Sequence, residues 1–344
     1  MRILVTGGAG FIGSNFVSFL LQHYPTYEVV ILDKLTYAGN LLNLTEELER
    51  SNCTFQEGDI CNPLQVERAI RGCQAVVHFA AETHVDRSIV APEVFIKTNV
   101  EGTYVLLEAA RKHHIQRFIH ISTDEVYGNA LSPEGISRPS LETDPQRPMS
   151  PYAASKAAAD SLAYSYWTTY GVPVVITRCG NNYGPRQYPE KQLPHFILCA
   201  QEKRPLPIYG TGQNVRDWIH VYDHAAAILT LLHEDGKLVH GEVFNVGAGE
   251  ERTILENACT VLDLLRRPRS LIQFVPDRPG HVRRHAVDTT KIRRVCGWQP
   301  RVRFREGIEQ TVRWYQEHPE WIAATRARYD DFVRRVFELE AEAA

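Results

Sequence analysis

Through the first 180 positions, apolar residues alternate between two spacings. Short runs at 2–6, 28–32, 75–79, 117–121 and 174–178 have the length and β-branched content of strands. Between them apolar residues recur at helical spacing, as in Phe16, Val17, Phe19, Leu20 and Leu21. A further unit ends at Gly58, Asp59 and Ile60. A helix is expected over about 92–113, with Val94, Val100, Tyr104 and Leu107 on its apolar face and Thr98 and Asn99 interrupting it. A buried polar pair needs partners. Thr98 and Asn99 either bond neighbouring loop backbone or touch a ligand, and the first is expected. The alternation of strands and helices predicts an α/β fold with a doubly wound parallel sheet and right-handed crossovers.

Past residue 178 the alternation breaks down. The expected organisation is a main domain over 1–178, rejoined by 217–246, where the run from Arg216 to Asp223 and a strand at 243–246 look like returning elements. A smaller lobe takes 179–216 and 247–330, and 331–344 forms a C-terminal helix or tail. The aromatics Trp314, Tyr315 and Trp321 suit packing in that lobe.

The loops between these elements carry the chemistry. After the first strand comes Gly7-Gly8-Ala9-Gly10-Phe11-Ile12-Gly13, then a helix. Glycines at this spacing let the backbone turn sharply and let a pyrophosphate approach main-chain N–H groups at a helix N-terminus. The second strand closes on Asp33, twenty residues past Gly13. A carboxylate there accepts from ribose hydroxyls and repels a 2′-phosphate, which favours NAD over NADP in a Rossmann-type domain. Asp59 stands at the next strand end, and small Ala80 and Ala81 follow the fourth strand.

The fifth strand delivers Ser122-Thr123-Asp124-Glu125. Two carboxylates and a hydroxyl suit a core poorly, whereas the carboxyl end of a parallel strand is where ligands sit. A polar turn with solvated acids is the alternative. Residues 129–151 read as a loop. Ser150 and Pro151 then suit a cap and a first-turn proline for a helix carrying Tyr152 and Lys156 on one face. An ammonium beside a phenol favours the phenolate, a base for a sugar hydroxyl.

Composition narrows the setting. With 44% hydrophobic and 23% charged residues and a net charge of −3, the chain is no nucleic-acid binder by charge. Its seven cysteines show no CxxC spacing, which points to reduced thiols, a cytoplasmic setting and no metal site. No signal peptide is expected, and no apolar run approaches the ~20 residues needed to span a bilayer.

Together these residues resemble the extended short-chain dehydrogenase/reductase superfamily and, within it, the dTDP-glucose 4,6-dehydratases. The resemblance covers nearly the whole chain, through GGAGFIGSN, DKLTYAGN, GDI, HFAAETHVDRSI, ISTDEVYG, SPYAASKAAAD, NNYGP, YGTGQNVRDWIHVYDH and VPDRPGH. The glycine turn and the Tyr152–Lys156 pair identify only the superfamily; Thr123, Asp124 and Glu125 narrow it to dehydratases. Gly180 departs from the family's Ser, and Val282 and His285 from its usual Asp and Tyr. Glu250 or Glu251 stands where an Asn is common.

The resemblance implies an NAD-dependent hydro-lyase acting on dTDP-glucose, cytoplasmic and homodimeric. Tyr152, supported by Lys156, takes the 4-hydroxyl proton as C4 is oxidised, with Thr123 bonding the sugar near C4. Glu125 then removes the C5 proton, protonated Asp124 releases the C6 hydroxyl as water, and hydride returns to C6. To the NAD side the resemblance assigns Gly7, Gly10, Phe11, Ile12, Gly13, Asp33, Lys34, Leu35, Thr36, Asp59, Ile60, Ala80, Ala81, Thr98, Tyr152, Lys156 and Asn182. To the sugar nucleotide it assigns Thr83, His84, Thr123, Asn181, Lys191, Arg216, Arg278 and His281, with the arginines at the diphosphate. An ion pair with Asp217 or Asp277 is the alternative for those arginines. The nearest rival function is a UDP-sugar 4,6-dehydratase or another NAD-dependent sugar-nucleotide epimerase or decarboxylase, although an epimerase needs no acid pair. A non-catalytic protein on the same fold would be expected to lack Tyr152 or Lys156.

Overall fold

A computed structural model describes residues 1–130, 138–277 and 280–326. Six strands follow the expected alternation: β1 (Arg2–Thr6), β2 (Glu28–Asp33), β3 (Cys53–Glu57), β4 (Ala75–His78), β5 (Arg117–Thr123) and β6 (Val174–Cys179). With Val243–Val246 they form one seven-stranded sheet, ordered Val243–Val246, β6, β5, β4, β1, β2, β3. Every pairing in it is parallel.

Helices cover both faces of the sheet, so successive strand residues are buried on opposite sides. Ile3, Val5, Val77 and Ile119 pack with the helices Phe11–His23 and Val221–His233. Leu4, Val76 and Phe118 pack on the other face with Gly102–Lys112 and Pro151–Tyr170. Each such fully buried aliphatic or aromatic side chain contributes about 1.5–3 kcal/mol. The chain order reverses between β1 and β4. A doubly wound sheet opens its ligand crevice at the carboxyl ends of strands where this happens.

The expected helix over 92–113 is continuous in course but irregular inside. Helical turns at Pro92–Phe95 and Gly102–Lys112 flank a π-helical stretch, Ile96–Glu101. Such wide turns redirect side chains and recur at functional sites. Asn99 is turned inward, its Oδ1 accepting from the Glu82 N–H at 2.8 Å and its Nδ2 donating to the Glu82 carbonyl at 3.1 Å. Asn99 therefore bonds loop backbone, as expected.

The segment after β6 corrects one expectation. Val243–Val246 does return to the sheet, but Val215–His220 does not. It is the centre of a smaller sheet, flanked by Asn181–Tyr183, Glu251–Thr253 and Arg284–His285. Joining a parallel sheet requires a crossover of a dozen or more residues. The helix Val221–His233 packs on the sheet and provides that crossover for Val243–Val246, whereas the helix before Val215–His220, Gln192–Gln201, packs in the core of the smaller lobe. A separate core of Tyr183, Phe196, Trp218, Phe304, Tyr315 and Trp321 holds this lobe together. The expected tail at 331–344 lies outside the described residues.

Candidate active site

The glycine turn meets the sheet at the reversal. A Cβ on Gly7, whose φ is +70°, would lie 2.5 Å from the Ala80 nitrogen, and one on Gly13 would lie 2.3 Å from the Gly7 carbonyl oxygen. Only a bare backbone fits, and the N-cap of the helix Phe11–His23, Gly10, leaves its first N–H groups without a side-chain partner. This is a cradle for a phosphate pair. Gly13→Ala is expected to cost about 1–3 kcal/mol by overpacking, read as a lowered Tm together with weakened dinucleotide binding.

Asp33 closes the cradle. Its Oδ2 accepts from Ala9 N at 2.9 Å and its Oδ1 from Leu35 N at 2.8 Å, which fixes the carboxylate at the cleft wall. Lys34 reaches over to Asp59, Nζ to Oδ2 at 2.7 Å. Gly7, Gly10, Phe11, Ile12, Gly13, Asp33, Lys34, Thr36, Asp59, Ile60, Ala80, Ala81, Thr98 and Asn182 all line one cleft. Leu35 does not. Its backbone takes φ +52° and its side chain packs on the core beneath.

The same cleft continues to Thr123, Asp124, Glu125, Tyr152 and Lys156. β5 ends at Thr123, whose Oγ1 accepts from Glu125 N at 3.2 Å and so caps the single 3-10 turn Asp124–Tyr127. Ser150 caps the helix Pro151–Tyr170 by accepting from Ala153 N at 3.1 Å, and Pro151 takes the first turn, as its sequence indicates. These two caps bring the acid pair and Tyr152 to one wall.

Electrostatics separate the groups. Burial, reinforced by the neighbouring Glu125, holds the Asp124 carboxyl well above the usual carboxylate range. Its Oδ2 is buried without a hydrogen-bond partner among the described residues. At Tyr152, burial and then the charge of Glu125 push the phenol well above its ordinary value, against the Thr123 hydroxyl. Lys156 donates to the Ile121 carbonyl at 2.6 Å, and burial pushes its ammonium down to about 8. The expectation that Lys156 draws the phenol toward neutral pH is therefore not met by the protein's own groups. Burial and Glu125 dominate at Tyr152, while the ammonium is engaged by backbone.

The expected sugar-nucleotide residues divide. Thr83, Asn181 and Lys191 line the cleft, with Lys191 Nζ donating to the Thr83 carbonyl at 3.0 Å. His84, Arg216 and His281 do not line it. His84 caps the helix Val85–Val90, accepting from Arg87 N at 3.4 Å. The Arg216 guanidinium is buried and donates to the carbonyls of Val215 and Val282 at 2.8 and 3.0 Å. Asp217, its suggested ion-pair partner, accepts from the N–H groups of Ala248 and Glu250. His281 Nδ1 lies 2.6 Å from Asp277 Oδ1. Arg278 lies outside the described residues.

Two of the departures from the family pattern also acquire surroundings. A Cβ on Gly180 would meet the Asp217 carbonyl oxygen at 2.9 Å, so glycine relieves a tight approach. Glu251 is engaged by Arg284 through both carboxylate oxygens, at 2.7 and 2.6 Å.

Among the lining residues not singled out by the sequence are Tyr37, Glu82, Tyr188 and Glu190. Tyr37 Oη donates to buried Glu190 at 2.9 Å, while Arg87 sits 3.7 Å over the Tyr37 ring and 3.3 Å from Glu82. The one available signal is an acid, Glu190, beside Lys191 between prolines. Among the described residues no group of three or more His, Cys, Asp or Glu is placed to hold a metal ion. No described helix is long and apolar enough to cross a membrane.

Comparison with known proteins agrees with the resemblance read from sequence. The family model for GDP-mannose 4,6 dehydratase matches residues 4–311. The chain is 49% identical over 325 residues to dTDP-glucose 4,6-dehydratase of Streptomyces niveus, covering 93% of this chain and 94% of the relative. The dTDP-glucose 4,6-dehydratase DesIV of Streptomyces venezuelae, solved with NAD and TYD bound, superposes with a TM-score of 0.89 at 46% identity, covering 93% of this chain and 98% of that one. The UDP-glucose 4-epimerase of Thermus thermophilus, solved with NAD, gives 0.83 at 35% identity, covering 92% and 99%. Dehydratase and epimerase thus share the fold, and the site must distinguish them.

Proposed function

Because the chain belongs to the nucleotide-sugar 4,6-dehydratase family, among the dTDP-glucose 4,6-dehydratases, we propose that it is an NAD-dependent hydro-lyase converting dTDP-glucose to dTDP-4-keto-6-deoxyglucose and water. The observation that carries this reading is the adjacent carboxyl pair at the end of β5, one member buried and held well above the usual carboxylate range, on the wall that holds Tyr152.

The glycine turn from Gly7 to Gly13 would hold the pyrophosphate of NAD, Asp33 the adenosine ribose, and Thr98 and Asn182 the far end of the cleft. When bound, the cofactor supplies a hydride acceptor for C4 and a hydride donor for C6. Tyr152 Oη takes the proton of the 4-hydroxyl, with the Thr123 hydroxyl holding that oxygen. Oxidation at C4 acidifies the C5 proton by conjugation, and the Glu125 carboxylate removes it. Asp124 gives its proton to the C6 hydroxyl, which leaves as water. Glu125 finally returns its proton to C5. One acid and one base side by side need unlike environments, and the burial of Asp124 supports that division. Thr83, Asn181 and Lys191 would meet the sugar. His84, Arg216, Arg278 and His281 are proposed for the nucleotide, which requires Arg216 and His281 to exchange present partners for the diphosphate.

Residues 1–178 with 221–246 are read as the NAD-binding part, and 179–220 with 247–330 as the sugar-nucleotide lobe. Seven free cysteines support a cytoplasmic setting. A homodimer is supported by exposed Val90, Val94, Tyr104, Tyr164 and Tyr170 on helices that pack against one another; light scattering should give the mass of two chains.

Asp33→Asn is expected to weaken NAD binding by roughly 10–100-fold, the worth of a charged hydrogen bond, while narrowing the preference over NADP. Fluorescence titration with both cofactors checks this. Incubation with dTDP-, UDP-, CDP- and GDP-glucose tests the function itself. The reading expects a 4-keto-6-deoxy product from dTDP-glucose, seen by mass and by its alkaline chromophore. Recovery of dTDP-galactose alone would contradict it.

A further inference from the structure

A layer of buried ionisable side chains lies behind the catalytic wall and takes no part in the steps above. On the helix Pro151–Tyr170, Asp160 follows Lys156 by one turn and shares its face. Both side chains are buried. Asp160 Oδ2 lies 2.9 Å from Arg178 Nε on β6 and accepts from Gln146 Nε2 at 3.3 Å. Its Oδ1 lies 3.4 Å from Nε2 of His120 on β5. Lys156 enters the same layer, because the Ile121 carbonyl it grips belongs to the residue after His120. His78 on β4 completes the layer, its ring 5.5 Å from that of His120 and held by the hydroxyls of Thr6 and Thr103 at 2.7 and 3.1 Å.

The charges in this layer can be assigned. Burial lowers both imidazoles, so His78 and His120 are neutral near pH 7. Burial pushes the Cys179 thiol up to about 12, so it too is neutral. Lys156 and Arg178 remain as cations and Asp160 as the anion, which leaves the layer with one net positive charge. A buried ammonium gives up its proton unless a counter-charge is held close. Burial is what pushes Lys156 down to about 8, and Asp160 is the foremost group opposing it.

We propose that Asp160 is a positioning residue for this reaction: held by Arg178 and Gln146 beside His120, it keeps Lys156 charged and so sets the alkaline limit of the reaction. The assignment rests on the dehydratase reading above. Asp160 acts only through Lys156.

The sign of the effect gives the test. Rising pH removes the Lys156 proton, so kcat/KM falls on the alkaline side. Asp160→Asn removes the counter-charge, and this limb should move down by about one pH unit, with roughly tenfold lost activity above it and near-normal activity below. Arg178→Gln removes the cation that competes for Asp160, and the limb should move up. Asp160→Glu, which keeps a carboxylate, should restore the position of the limb. In holoenzyme carrying isotope-labelled lysine, the Lys156 Cε resonance should titrate with the same displacements. If both charge-removing variants keep the wild-type limb and titration, or shift them in one direction, Asp160 is merely structural and the proposal is overturned. Should Asp160→Asn fail to fold, Arg178→Gln decides alone: an upward shift supports the proposal and an unmoved limb overturns it. Wild-type protein that makes no 4-keto sugar would contradict the dehydratase reading instead, while the lysine titration would still report the coupling.

Discussion

Glu125→Gln is expected to lower formation of 4-keto-6-deoxy sugar by about 10²–10⁴-fold, the usual worth of a positioned general base. The loss should fall on one half of the reaction. Tyr152 and Lys156 are untouched by the change, so C4 oxidation persists and the 4-ketone of the intact hexose accumulates. Exchange of the C5 proton with solvent, which needs the carboxylate, should disappear with turnover. Removing a charge beside Tyr152 also eases ionisation of the phenol, since Glu125 is the second cause, after burial, of its raised value. Rapid-quench analysis in deuterated water separates these outcomes. Normal turnover, or C5 exchange at the wild-type rate, would assign the base elsewhere.

Asp124→Asn produces the second large effect, of opposite character. The amide keeps the shape and a hydrogen-bond donor but has no proton to release, so water loss should slow by about 10²–10³-fold. C4 oxidation and C5 exchange continue, because Tyr152 and Glu125 remain. Glu125→Gln therefore stops exchange and elimination together, while Asp124→Asn stops elimination alone.

Stability should move the other way. The folded Asp124 carboxyl holds its proton more tightly than the unfolded one, whose value lies near 3.8. Its favourable contribution is thus complete below that value and is lost as pH rises through the raised folded value. The Asp124→Asn variant escapes this loss. Its Tm should exceed the wild type's at alkaline pH and match it near pH 4, as scanning calorimetry would show. An active-site group that lowers stability in return for function is common.

Much of the site is legible in the sequence where a local constraint forces the residue. Gly7 and Gly13 announce themselves because a Cβ at either would collide with backbone. Strand and helix spacing places β1 to β6 and the helix after Ser150, and with them the acid pair and Tyr152 on one wall. Contacts set by tertiary register are not legible. Tyr37 meets Glu190 across 153 positions of chain, and no periodicity encodes that meeting. Val215–His220 has the composition of a strand, but composition does not name its partner. Arg216 illustrates the same limit: its motif suggests a phosphate, whereas the described structure engages it with the Val215 and Val282 carbonyls. The environment of Tyr152 departs from expectation for a related reason. Helical spacing puts Lys156 on its face, but burial and the neighbouring Glu125 decide the phenol's proton affinity.

The central claim is that one site oxidises C4, eliminates across C5 and C6, and reduces C6 without releasing the hydrogen it removed. Turnover of dTDP-glucose deuterated at C4, run in ordinary water, tests this most directly. Product is expected to carry the deuterium at C6, with none lost to solvent. Deuterium lost to solvent, or retained at C4 in a sugar that keeps its C6 hydroxyl, would contradict it.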